Sequence, residues 1–183
     1  MSATRLNTEM RDQFLRLYGP PRARAYKDPA TPQSVTSSAT LSLVTLTLST
    51  YDTSYSGATL LQSGNRLVVP IAGLYHVTVS LMCNEDGGNI LKSRITNVRR
   101  NSANSPTGGT SVIYKNNRRG LSLLTFATNP VHQQLSKIIP CNAGDHLQLF
   151  FAQNSGVTKT IRGGKQRTFM EAIWRGVLPA GTP

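Results

Sequence analysis

The side chains able to do chemistry in this chain are few and scattered. His76 and His146 fall in segments that read as strands, and His132 falls in a predicted loop. Asp145 precedes His146, but neighbours on a strand point to opposite faces, so adjacency does not make them an acid–base pair. Glu171 lies on the last predicted strand, and Glu85 and Asp86 lie together in a loop, so the carboxylates are isolated. There is no Gly-rich phosphate cradle and no GxSxG. Cys83 and Cys141 stand far apart with no CxxC or Cys/His spacing for zinc. They read as two buried free thiols. Neither catalysis, nor a cofactor, nor a metal site is expected.

Charge is the other chemical resource. Lys and Arg number 20 against 8 Asp and Glu, a formal +12. That balance favours acidic partners such as nucleic acid, anionic wall polymers or an acidic protein surface. Lys92, Arg94, Arg99, Arg100, Lys115, Arg118 and Arg119 form one group, and Lys159, Arg162, Lys165 and Arg167 another. If loops gather at the ends of a sandwich, these form one basic rim. Arg99, Arg100, Arg118, Arg119, Arg162, Lys165 and Arg167 are its candidate contacts with an anionic ligand. The plainer reading is a set of solvated loops that keep the protein soluble. Among aromatic residues only Tyr114 sits within the basic loops, which disfavours nucleic acid, because strand-binding grooves stack bases on aromatic rings.

The elements that must position these residues divide in two. Residues 1–33 read as a short helix and an extended basic arm. Met10, Phe14, Leu17 and Tyr18 make one apolar stripe, and Gly19, Pro20 and Pro21 stop it. Arg22, Arg24 and Lys27 follow among four prolines, which predicts a semi-rigid arm without a core of its own. A helix this short is marginal alone, so its stripe needs a surface, on the chain's own body or on another protein. No apolar h-region of a secretory signal opens the sequence, and no uninterrupted apolar run suits a membrane span.

From Val35 onward the pattern turns to short alternating strands with polar turns, the mark of an antiparallel sandwich or barrel. In "TLSLVTLTLST" the apolar phase slips between Leu43 and Val44, which predicts a β-bulge. In "NRLVVPIAGLYHVTVSLMCN", Tyr75, Val77, Val79, Leu81 and Cys83 share one face of the clearest strand. Pro70 and Gly73 just before it read as a corner between two strands.

These residues carry a resemblance. "NRLVVPIAGLYHVTVSL", "LSKIIPCNAGDHLQLFFAQNSG" with its Gly144–Asp145 turn, and the terminal "TFMEAIWRGVLP" resemble the complement globular-head and tumour-necrosis-factor families, in the right order over about residues 41–178. The resemblance implies an all-β antiparallel jelly roll over residues 34–178, with residues 179–183 as a tail, and it implies a homotrimer. The arm–body junction "RARAYKDPATPQSVTSSATLSLVTLTLSTYDTS" resembles structural proteins of tailed bacteriophages, especially those of actinobacteria.

The expected function is therefore a non-enzymatic decoration (cement) protein on the outer capsid surface of a virion, made in the host cytoplasm. Met10, Phe14, Leu17, Tyr18, Arg22, Arg24 and Lys27 would bind the major capsid protein, and a chain lacking residues 1–33 should keep a folded head. The alternative is a tail or baseplate adhesin, partnered by tail proteins, whose basic loops bind a host-wall polymer or glycan.

Overall fold

The computed structural model describes residue 10 and residues 19–53, 61–62, 65–84, 92–119 and 131–178. Thirteen strands fill these stretches: β1 (Arg22–Tyr26), β2 (Gln33–Val35), β3 (Ser38–Leu43), β4 (Leu48–Thr53), β5 (Leu61–Gln62), β6 (Arg66–Val68), β7 (Gly73–Cys83), β8 (Lys92–Arg100), β9 (Thr110–Arg119), β10 (Val131–Cys141), β11 (His146–Gln153), β12 (Lys159–Ile161) and β13 (Phe169–Gly176). They form two antiparallel sheets. The first runs β2–β12–β7–β13–β1–β4, with β10 on the other side of β7; the second runs β5–β6–β11–β8–β9, with β3 also on β11.

The period of two dictates the core. Tyr75, Val77, Val79, Leu81 and Cys83 of β7 are all buried, as expected from their alternation. They meet Leu147, Leu149 and Phe151 of β11 in one cluster with Ala23, Ala25, Met170 and Trp174. β6 belongs to the second sheet and β7 to the first, so Pro70 to Gly73 is the corner that carries the chain between sheets. Only glycine fits at position 73, because a Cβ there would lie 2.1 Å from Trp174 Nε1 and 2.5 Å from the Gly176 carbonyl. The Asn142–Asp145 turn makes the return crossing from β10 to β11, and both cysteines are buried thiols outside any disulfide.

Three expectations are corrected. Residues 20–33 are not an arm without a core: β1 lies inside the first sheet, pairing Arg22–Tyr26 with Ile173–Phe169 on one side and with Thr53–Leu48 on the other. Its prolines flank the strand rather than interrupt it, so both ladders can form. The phase slip at Leu43 is not a bulge. β3 pairs in the second sheet and β4 in the first, and the buried Val44 and Leu46 lie on the crossing between them. His132 lies on β10 rather than in a loop, because β10 runs for 11 residues, longer than its apolar stretch suggests.

The stripe of the expected N-terminal helix falls mostly outside the described residues, which include Met10 but not Phe14, Leu17 or Tyr18. Met10 itself is exposed. No helix among the described residues is long and apolar enough to cross a membrane.

Candidate functional site

The basic residues do not form one rim. Arg99 and Arg100 close β8 at one end of the sandwich, where the Arg100 guanidinium donates to the Pro140 carbonyl (2.8 Å) beside the start of β7. Arg118 and Arg119 pair with Ser93 and Lys92 at the opposite end. About 20 Å separates the two groups at the usual strand rise. Arg118 and Arg119 lie on β9, not in a loop.

Several cations are committed internally. Arg99 clasps its own hairpin, donating to the carbonyls of Gly108 (2.6 Å), Thr107 (3.2 Å) and Gly109 (3.0 Å). Arg100 lies 3.6 Å from Asp145, whose carboxylate also accepts from Asn101 Nδ2 and the Asn142 amide. Lys27, Arg94 and Lys159 are buried. Lys27 Nζ donates to the Thr31 carbonyl (2.6 Å) and to Thr45 Oγ1 (3.1 Å), and burial lowers its pKa. Arg24 lies 3.7 Å above the Phe169 ring and donates to the Lys165 carbonyl (2.7 Å). Of the described arm cations Arg22, Arg24 and Lys27, only Arg22 is exposed, and it sits on β1.

What remains is the Arg162–Thr168 loop between β12 and β13. Arg162, Lys165 and Arg167 are exposed on it. The backbone beneath them is held from several sides. The Arg162 amide donates to Met82 O (2.8 Å), the Gly164 amide to Lys27 O (2.8 Å), and Ser80 Oγ to Arg167 O (2.7 Å). Thr168 Oγ1 donates back to Arg162 O at 2.6 Å, and Thr168 donates its amide to Gly164 O at 3.3 Å. Gly163 presses against the Asp28–Pro29 backbone, where a Cβ would meet Asp28 O at 2.4 Å, and Gly164 has φ +125°. The Arg-Gly-Gly-Lys run is thus the sequence trace of a tight loop, a signal that charge counting alone passes over.

A second feature is the open edge where β9 of one sheet runs beside β10 of the other. Val112, Ile113, Tyr114 and Lys115 face Gln134, Leu135, Ser136 and Lys137 across a shallow cleft of about 330 Å³. Tyr114 is 57 % exposed and Ile138 56 %, the two most exposed large apolar side chains at this edge.

Cross-strand neighbours make two Ser–His pairs that linear reading misses, His76 Nε2 with Ser136 Oγ (2.5 Å) and His132 Nε2 with Ser80 Oγ (2.5 Å). His76 Nδ1 faces the Arg175 guanidinium at 3.5 Å, a cation where a general base needs an orienting carboxylate. Asp145 is spent on its turn, and His146 Nε2 accepts from the Ala103 amide at 3.4 Å. Burial, reinforced by Asp145, pushes the Cys141 thiol up to about 12, the reverse of an activated nucleophile. Among the described residues no three His, Cys, Asp or Glu side chains group to hold a metal ion.

Strand order, crossings and the Pro-Ala-Gly corner together define a jelly roll of the tumour-necrosis-factor type. Among solved structures the chain is similar to the Eiger TNF from S. frugiperda, with a TM-score of 0.61 and 15 % identity over 90 % of this chain and 98 % of that one. At that identity the likeness establishes the fold. No protein-family model matches, and no curated protein matches by sequence.

Proposed function

We propose that this protein is a non-enzymatic structural protein that assembles as a homotrimer through its β9/β10 edge and decorates the outer surface of a tailed-phage capsid. The observation that carries the reading is that edge: among the described residues β9 pairs with β8 alone and β10 with β7 alone, and Tyr114 and Ile138 stand exposed beside them. Lys115 and Lys137 reach across the cleft to the Gln134 and Val112 carbonyls, and the exposed apolar lips suit a neighbour of the same kind. The trimer is also what the family resemblance implies, and the junction "RARAY…YDTS" supports the virion assignment.

With β1 inside the sheet, attachment to the major capsid protein falls to the chain before Arg22, where Phe14, Leu17 and Tyr18 lie. Three such segments on one trimer gain avidity even when each contact is weak. Two measurements test the reading. Light scattering on the purified protein should give a trimer, and Tyr114→Asp with Ile138→Asp should give monomers. Quantitative mass spectrometry of purified particles should give copy numbers comparable to the shell protein. A monomeric wild type, or a copy number near that of tail-tip components, would reject the corresponding half.

A tail or baseplate adhesin is the second reading, and the exposed cationic Arg162–Arg167 loop is what favours it.

A further inference from the structure

We infer that the Arg162–Thr168 loop is a preorganised site for a linear polyanion bearing phosphate or sulfate groups, with Arg162, Lys165 and Arg167 as its contacts. The inference deepens the adhesin reading in its choice of partner but does not depend on where the protein sits in a particle.

Three observations converge on it. Arg162, Lys165 and Arg167 are exposed within six residues, and no carboxylate among the described residues pairs with any of them. Arg162 Nε donates to Asn84 Oδ1, whereas neither Lys165 nor Arg167 donates a side-chain hydrogen bond to another described residue; Arg99 and Arg100 are engaged with carbonyls of the body. Finally, the loop backbone is tied to β7, to Lys27 and to Arg24, with Gly163 wedged on Asp28. Its cations are therefore displayed from a fixed frame, and little ordering entropy opposes binding.

The chemistry of the loop narrows the partner. A single exposed ion pair contributes little in water, so a monovalent ligand would gain almost nothing here. A polymer that meets several cations at once gains by effective concentration. Guanidinium forks suit tetrahedral oxyanions, which accept two hydrogen bonds side by side. Nucleic acid fits poorly, because the Phe169 ring at the site is buried beneath the Arg24 guanidinium, 3.7 Å from its centroid, and is not open for a base to stack on.

The test uses the full-length protein and two probes, long-chain inorganic polyphosphate and heparin, in a fluorescence titration across a salt series. Lys165→Gln with Arg167→Gln removes two charges and no side-chain hydrogen bond to another described residue. Arg22→Gln with Arg175→Gln removes two charges elsewhere and serves as the control. The site predicts about a tenfold loss for the first pair, a shallower salt slope, and less than a threefold loss for the control. Stronger binding of polyphosphate identifies a phosphate polymer, and stronger binding of heparin a sulfated one; either supports the site. Equal losses for the two pairs would reduce the effect to net charge and overturn it. So would unaltered binding by the first pair, or tighter binding of duplex DNA than of either probe. Because the readout is binding by purified protein, it stands or falls separately from particle location and copy number.

Discussion

Removing the N-terminal residues in two steps separates the part that holds the fold from the part that is available to a partner. β1 lies between β13 and β4, and Ala23, Ala25 and Lys27 beside them are buried. Its five residues bring ten backbone groups to the two ladders, each worth about 1 kcal/mol net. Ordering those residues costs about 1–2 kcal/mol apiece, so the backbone terms roughly cancel. What remains is apolar burial. Uncovering roughly 200 Å² on Ala23, Ala25 and the Met170–Ala172 surface beneath, at about 25 cal/mol per Å², amounts to about 5 kcal/mol. At about 2–4 °C per kcal/mol for a chain of this size, the Tm should fall by roughly 10–20 °C. A chain lacking residues 1–19 keeps β1 and the bond from the Trp174 amide to Pro21 O (2.9 Å), so its Tm should stay within about 2 °C of the full protein. A chain lacking residues 1–28 should show the large drop by scanning calorimetry and exposed apolar surface by dye binding. Equal Tm values for the two truncations would refute the placement of β1. The same pair tests attachment, since the shorter deletion should abolish capsid binding while leaving the fold intact.

Gly73→Ala forces a Cβ to 2.1 Å from Trp174 Nε1, so a loss of about 2–3 kcal/mol and a shifted Trp emission maximum are expected by chemical denaturation with fluorescence detection. Phe151→Ala, at the centre of the cluster, should lower stability by about 3–5 kcal/mol in the same assay without changing the oligomeric state. The Cys141 thiol is held near pKa 12 by burial first and by Asp145 second, against a reference value of 9.0. The folded state therefore keeps a proton that the unfolded state releases. This contribution is whole below pH 9 and is lost as pH rises towards 12, and Cys141→Ala should show a shallower alkaline fall in Tm. Neither cysteine should react with a thiol reagent at pH 8 until the protein is unfolded.

The candidate site was legible in part. Arg162, Lys165 and Arg167 stood out by charge, yet so did Arg99, Arg100 and Lys159, and composition cannot separate a displayed cation from one that clasps a hairpin or lies in the core. That distinction depends on which carbonyl comes within 3 Å, and the carbonyls of Gly108 and Pro140 are brought there by the hairpin and by the far sheet. The Ser–His pairs were invisible for the same reason, since Ser136 and His76 lie 60 residues apart in sequence.

Local pattern alone determined that the chain is an antiparallel sandwich or barrel, and the family resemblance narrowed it to a jelly roll. Alternation in β7 names the buried face, and Pro70 with Gly73 marks a crossing, because strand period and backbone stereochemistry are local properties. Tertiary structure alone decided that Arg22–Tyr26 is a strand and not an arm. Five residues of moderate propensity among prolines have no conformation of their own. They become a strand only because β13 and β4, residues 169–176 and 48–53, leave between them a gap one strand wide whose amides and carbonyls need partners.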